Sequence, residues 1–212
     1  MDKHQETFKT WNKVYLKYQE KFMDLKIYNK SYDQFCSLLI NQRPKILEIG
    51  CGPGNISKYL LTKLPEMELL GVDYSPKMIE LSKKNNPTLM FEVMDAKEIE
   101  QVSGMFDGII AGFLIPYLSL KELEAFIDNI ANKLNDEGIL YLSFVDGNYE
   151  NSSYQVSSSG DRVFFYFYQS DKIIDLLKSK RIEFLDELTV GYGDSGQERQ
   201  NHKIIIARKE QS

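Results

Sequence analysis

The residues able to do chemistry together are an acid, Glu48, inside an apolar run, and three glycines, Gly50, Gly52 and Gly54, directly behind it. Two further acids, Asp73 and Asp95, each close a later apolar run. Lys45 to Ile49 reads as a short strand buried on both faces. Gly50-Cys51-Gly52-Pro53-Gly54 is a sharp turn, and Asn55 to Leu61 has the spacing of a helix. Glycines allow backbone angles that a side chain forbids and let a ligand come close to the main chain. The free N–H groups at the start of the next helix face that ligand. Strand, turn and helix therefore open a nucleotide-type pocket. Asp73, 19 residues beyond Gly54, is placed to accept hydrogen bonds from both hydroxyls of a ribose. Charged hydrogen bonds of that kind are worth about 1.5–3 kcal/mol each.

The glycine spacing discriminates between nucleotides. A dinucleotide fingerprint reads G-x-G-x-x-G, and its third small residue lets the helix pack closely on the strand. Here the pattern is Gly50-x-Gly52-x-Gly54, and Asn55 stands where the fingerprint needs Gly or Ala. Asp73 alone does not choose between a nicotinamide cofactor and another adenosyl ligand.

Composition narrows the partners. The 212 residues suffice for one domain, with 42% hydrophobic and 27% charged residues, as in ordinary globular proteins. A net charge of −5 argues against a nucleic-acid surface, which needs clustered Lys and Arg. Cys36 and Cys51, with His4 and His202 far apart in sequence, lack metal-ligand spacing, so no metal site is expected. The first ten residues lack the apolar core of a signal peptide, and no apolar run approaches ~18 residues. A cytoplasmic protein with reduced thiols and no membrane partner is the expectation.

The elements that must position these residues follow from periodicity. Phe8, Trp11, Tyr15, Tyr18 and Phe22 fall on one helix face, widened by Val14. Tyr32, Phe35, Cys36 and Leu39 mark a second helix, ended by Arg43-Pro44. Strands are expected at Met67–Val72, Leu89–Met94, Phe106–Ala111 and Ile139–Val145, the last ending at Asp146. Ser75-Pro76 opens one intervening helix, and the capping box Ser119–Glu122 opens another. Residues 147–160 read as a long polar loop, either a linker or an active-site lid. Val163–Tyr168 reads as an aromatic strand, followed by a helix over Ser170–Lys180. Ile182–Val190 and His202–Arg208 should pair as an antiparallel hairpin, because Gly191–Asn201 contains no helix. The alternation predicts an α/β chain, a Rossmann-like doubly wound sheet with helices on both faces.

Glu48 with its glycines, GVDYSPKMIELSKK, EVMDAKEI, FDGIIAGFLIPYL, GILYLSF and a terminal hairpin together resemble the class I S-adenosylmethionine (SAM) dependent methyltransferases, over residues 44–208. The resemblance implies a seven-stranded sheet with an antiparallel last strand and SAM as cofactor. It implies a single domain, 1–212, with residues 1–43 as a helical cap or lid. It places Gly50, Cys51, Gly52 and Gly54 by the methionine part and Asp73 on the ribose. Tyr74 and Met78 would pack near the adenine, with Asp95 and Ala96 at its amino group. Ala111 and Phe113 complete the cofactor-binding set. The aromatic lead helix resembles that of small-molecule methyltransferases, in which a tyrosine best matched by Tyr18, with Tyr15 as the alternative, approaches the methionine end. Glu48 is expected to anchor backbone or cofactor-loop N–H groups, and Cys51 to be a small buried side chain and not a nucleophile.

AGFLIPYL lacks the Asn/Asp-Pro-Pro-aromatic motif of enzymes that methylate amino groups on bases. Neither a paired-glutamate signature of protein-arginine methylation nor the acid set of metal-assisted catechol methylation is evident. The resemblance is closest to the group that includes quinone and biotin-pathway methylators, so the expected partner is a small-molecule acceptor and not nucleic acid. Candidate lining of its pocket is Tyr117, Asp146, Tyr149, Phe165, Tyr168, Tyr192 and His202. His202, Tyr117 and Asp146 are candidates for a catalytic group, with a surface position as the alternative for His202. A NAD-dependent oxidoreductase and a non-catalytic SAM-binding domain are the alternatives.

Overall fold

The computed structural model describes residues 3–157, 159–193 and 200–211. A lead helix, α1 (Lys3–Phe22), and a shorter one, α2 (Asn29–Leu38), precede the first strand, β1 (Lys45–Ile49). Then come α3 (Asn55–Lys63), β2 (Glu68–Asp73), α4 (Pro76–Asn85), β3 (Met90–Val93), β4 (Phe106–Gly112), α5 (Leu120–Lys133) and β5 (Leu134–Val145). A small hairpin, β6 (Ser153–Val156) and β7 (Arg162–Phe165), is followed by α6 (Ser170–Ser179), β8 (Ile182–Tyr192) and β9 (Gln200–Lys209).

Seven strands form one sheet in the order β3-β2-β1-β4-β5-β9-β8. The first five are parallel, whereas β9 runs antiparallel to both of its neighbours, β5 and β8. The expected fold class holds, terminal hairpin included. The chain order reverses between β1 and β4, which is where an open α/β sheet leaves a crevice beyond the carboxyl ends of its strands.

Strand alternation loads both faces of the sheet. Ile109 and Leu140 point into a core with Phe126 and Ile130 of α5 and Leu177 of α6. Ile46, Ile110 and Tyr141 point the other way, against Phe35 of α2, Leu60 of α3 and Ile79 of α4. Ser75 caps α4 by accepting from the Met78 N–H at 3.3 Å, and the Ser119–Glu122 capping box forms as expected.

Several boundaries differ from expectation. The turn expected at 135–138 is a bulge inside a longer β5: Leu134 pairs with Phe106 before the register shifts, and Glu137 takes φ +62°. Helix α2 stops at Leu38, well before Pro44, because Leu39 already has extended geometry. Only residues 162–165 of the aromatic run are strand, and they lie outside the main sheet. Their partner is β6, so the stretch read as loop carries a strand and a single 3-10 turn at Tyr149–Asn151. Tyr154 against Phe164 (5.1 Å, edge-on), with the Arg162 guanidinium over the Tyr154 ring, gives this hairpin its own packing.

Helix α1 lies across that hairpin. Thr10 Oγ1 donates to the Arg162 carbonyl at 2.7 Å, and the Phe164 N–H donates to Thr7 Oγ1 at 3.1 Å. Glu6 pairs with Arg162, and Lys13 with Asp161. Only Thr7 of the helix is buried.

Candidate active site

The turn after β1 is built as its glycines require. Gly52 sits at φ +52° and donates its N–H to Asp73 Oδ2 at 2.9 Å. Gly54 sits at φ +79°, and a Cβ there would lie 2.4 Å from Asn86 Nδ2, which instead donates to the Gly54 carbonyl at 3.0 Å. The other Asp73 oxygen accepts from the Ser75 N–H at 2.8 Å. Burial pushes the Asp73 carboxyl up to about 6, against the pull of those two N–H bonds.

Two chambers open beyond the strand ends and share a wall made by Trp11, Tyr18, Gly50, Gly112, Phe113 and Tyr117. The first is a cleft of about 880 Å³, part of it open to solvent, lined by Gly52, Asp73, Tyr74, Met78, Asp95 and Ala96 together with His4, Thr7 and Phe8 of α1. His4 Nε2 meets Asp95 Oδ2 at 3.0 Å, and its ring stacks on Tyr74 at 5.1 Å. Burial raises the Asp95 carboxyl, but the His4 bond and the Lys97 N–H more than offset this and hold it below the ordinary range.

The second chamber, of about 860 Å³, is lined by Glu48, Cys51 and Asn55 on the glycine side. Opposite stand Phe22, Tyr28, Tyr32, Phe165, Tyr192 and His202. Glu48 is buried; Ser57 Oγ donates to its Oε2, and Oε1 has no partner among the described residues. Burial first, the Asp73 charge second, push it up to about 8, with the Ser57 bond opposing. Glu48 is expected to anchor backbone or cofactor-loop N–H groups; in the structure both the hydroxyl and the backbone N–H of Ser57, at the start of α3, engage it. The Cys51 thiol is buried and driven upward by that burial, so it stays protonated, as its non-nucleophilic reading requires.

Most residues expected at the cofactor line one chamber or the other, but two do not. Ala111 is fully buried in the sheet core, since alternation along β4 turns it to the same face as Ile109. Phe113 reaches the chambers because it leaves the strand at φ +55°, its N–H donating to Ser143 Oγ at 2.9 Å. Gly54 also lies outside both linings, and its part is to pack α3 against Asn86.

The acceptor-side expectations divide. Tyr117, Phe165, Tyr192 and His202 line the second chamber. Asp146 is exposed and lines neither chamber; its N–H is tied to the Asn201 carbonyl. Tyr149 packs on Tyr166, and Tyr168 is buried with its hydroxyl on the Leu118 carbonyl. None of the three lines either chamber, and Asp146 and Tyr168 are joined by a β-bridge.

His202 is not on the surface. It is buried at the start of β9, with Nδ1 2.6 Å from the Tyr28 hydroxyl and its ring stacked on Tyr192 at 4.9 Å. Burial lowers it to about 4, so the imidazole is neutral near pH 7. Tyr28 is the residue that sequence reasoning missed. Its spacing to Tyr32 and Phe35, i, i+4, i+7, extends the α2 face by one turn and could have flagged it.

Among the described residues, no group of His, Cys, Asp and Glu could hold a metal ion, and no helix is long and apolar enough to cross a membrane.

Residues 46–138 match the family model described as "Methyltransferase domain". The malonyl-[acyl-carrier protein] O-methyltransferase of Bacillus anthracis is 30% identical over 105 residues, 49% of this chain and 38% of that protein. The tRNA N(3)-methylcytidine methyltransferase trm141 of Schizosaccharomyces pombe is 25% identical over 162 residues, 72% of this chain and 65% of that protein. The chain thus spans less than two thirds of the length of these curated relatives. The magnesium protoporphyrin IX methyltransferase (ChlM) of Synechocystis PCC 6803, solved with bound SAH, superposes with a TM-score of 0.73 at 16% identity, covering 99% of this chain and 100% of that one.

Proposed function

Because the chain carries a methyltransferase domain over residues 46–138 in the class I SAM-dependent methyltransferase fold, we propose that it binds SAM across the two chambers and methylates a small-molecule acceptor. The observation that carries this reading is the junction. A chamber with the acids and glycines of an adenosyl site opens, through one shared wall, into a chamber of aromatic rings.

The residues present fit such a cofactor. Asp73 would hold the ribose, with Tyr74, Met78 and Ala96 around the adenine and Asp95 near its amino group. The unpartnered Glu48 Oε1 suits an ammonium group, which would also draw the carboxyl back to its charged form. Bound there, SAM supplies a methyl group on a cationic sulfur, already activated for transfer. The protein's task is then to hold the acceptor in line and keep water out, and alignment alone can supply ~7–11 kcal/mol of a barrier. Tyr18, whose hydroxyl is kept protonated by burial, stands between the chambers and fills part of the junction.

The small-molecule reading draws on the aromatic lining of the second chamber and on the net charge of −5, which opposes a polyanionic acceptor such as tRNA. The site geometry also opposes NAD: Asn55 begins α3 directly at the turn, where close dinucleotide packing needs a small residue. Isothermal calorimetry with SAM, S-adenosylhomocysteine (SAH) and NAD tests the reading. Binding of both adenosyl sulfur compounds and not of NAD is expected; heat from NAD alone would overturn it.

A further inference from the structure

The second chamber, which Glu48 also lines, has a polar pair in its wall. His202 comes from β9 and Tyr28 from the turn before α2, and they meet at 2.6 Å between Nδ1 and the hydroxyl. Rings fix the imidazole from three directions. Tyr192 stacks on it at 4.9 Å, Tyr28 lies nearly parallel at 6.0 Å, and Phe113 meets it edge-on at 4.6 Å. Phe113 belongs to the wall shared with the first chamber, so the imidazole stands one ring away from the junction. Among the described residues no hydrogen bond engages Nε2. An imidazole oriented through one nitrogen by a fixed partner, in the wall of a pocket, can serve as a general base.

Resting on the methyl-transfer reading above, we propose that His202, oriented by Tyr28, takes the proton from a neutral aromatic alcohol that is methylated on oxygen. The rings of Phe22, Tyr28, Phe113, Phe165 and Tyr192 offer flat faces to such a molecule, and no described Lys or Arg lines the chamber to receive an anion. In the step, an oxygen lone pair of the acceptor forms the bond to the methyl carbon. The electron pair of the breaking carbon–sulfur bond stays on sulfur, and the acceptor's proton passes to His202 Nε2. The Nδ1–H then donates to the Tyr28 oxygen, a bond that strengthens as the imidazolium forms. The ionisable groups around the imidazole are Tyr28, Tyr192 from β8 and Glu48 from β1, with Lys21 of α1 over the Tyr192 ring at 5.3 Å. Tyr28 is kept protonated by burial, so its hydroxyl can donate to Nδ1 or accept from it, and the imidazole acts as a base in the tautomer whose proton is on Nδ1.

The chain has two histidines, which makes the test direct. In the full chain saturated with SAH, imidazole nitrogen NMR is followed while 2-naphthol or 2-naphthoate is added. The naphthol should shift the His202 signals toward the tautomer with the proton on Nδ1, and leave His4 unmoved; naphthoate should do neither. With SAM, 2-naphthol should be methylated at a rate that is flat with pH between about 6 and 9. His202→Gln should lower that rate by roughly 10²-fold or more and make it climb with pH, as the acceptor's own ionisation takes over. Tyr28→Phe should lose about tenfold and keep the flat profile, as a positioning residue would. Both variants should bind SAH like the wild type. A His202→Gln enzyme as fast as wild type, a preference for naphthoate, or His202 signals unmoved by naphthol would overturn the proposal. Failure of the wild type to bind SAH would instead remove the methyl-transfer reading beneath it.

Discussion

The two chambers are assembled in opposite ways. The first draws its polar groups from the ends of three neighbouring parallel strands: the turn after β1, Asp73 as the last residue of β2 and Asp95 two residues beyond β3. Each group ends its strand or follows it within a few residues, so a local motif places it. The second chamber gathers Tyr28, Phe113, Phe165, Tyr192 and His202 from five separate elements or turns, and Tyr28 and His202 are 174 positions apart. The first site is written in short range and the second only in the tertiary fold. A site that holds a constant ligand can be carried by a motif, whereas one that selects an acceptor is set by whichever elements meet over it.

The largest effect that separates the chambers is expected at Asp73. Asp73→Ala should weaken SAH binding by about 1.5–3 kcal/mol, because it removes the charged partner for a ribose, and should leave the second chamber unchanged. Calorimetry with SAH, beside an unchanged near-UV circular dichroism spectrum, checks this. Wild-type affinity would break the assignment of the first chamber.

Next in size is the pH dependence carried by Glu48. An acid whose pKa rises on folding binds its proton more tightly in the folded chain. Its stabilisation is full below the ordinary value near 4.5 and fades as pH rises to about 8, by up to ~1.4 kcal/mol per pH unit. Asp73 adds the same sign between 3.8 and about 6. His202 acts oppositely, its contribution lost as pH falls from 6.5 to about 4. Denaturant unfolding without ligand should therefore show stability declining from pH 6 to 8 in the wild type and level in Glu48→Gln. The complex should show the converse: SAM affinity rises over the same window, because a cationic ligand selects the charged carboxylate. Equal slopes in both proteins would remove Glu48 from the ligand's surroundings.

The smallest effect is expected at the His4–Asp95 contact, which closes the first chamber from α1. His4 is 22% and Asp95 15% exposed, so the pair is partly screened. His4→Ala should change SAH affinity by about 0.2–1 kcal/mol, mostly in the off-rate measured by stopped flow. A loss as large as that of Asp73→Ala would mean that α1 is part of the adenosyl site itself and not its cover.

Legibility in the sequence followed the same division. The order of strands and helices, the antiparallel end of the sheet and the lining role of Asp73, Tyr74, Met78 and Asp95 were readable, since strand alternation, capping residues and strand-end acids are local signals. Ala111 was misplaced because one step along a strand reverses the face, and the ring that enters the chamber is Phe113, beyond the strand end. Asp146 was placed at the edge by its position after β5, yet the bond to Asn201 and the turn toward the β6–β7 hairpin carry it away. The burial of His202 depended on Tyr192 from the neighbouring strand and on Tyr28, which lies 174 positions away in sequence. The hairpin itself was hidden because Ser, Asn and Gly dominate 147–160 and mask the four-residue alternation of β6.

Phe8, Trp11, Tyr18 and Phe22 of α1 face the chambers, and the helix rests on the β6–β7 hairpin through Thr7, Thr10 and Glu6. A helix with one buried residue and a strongly aromatic inner face is suited to open and close over a ligand. Hydrogen exchange of the full chain with and without SAH measures both halves of the account at once. Protection should rise at residues 48–55, 73–78 and 95–96, the proposed cofactor contacts, and, if α1 and the hairpin move over the ligand, at residues 8–22, 153–157 and 159–165. A response confined to the first group would leave α1 as a fixed cover. No response at residues 48–55 and 73–78 would contradict the claim that the glycine turn and Asp73 bind the adenosyl ligand.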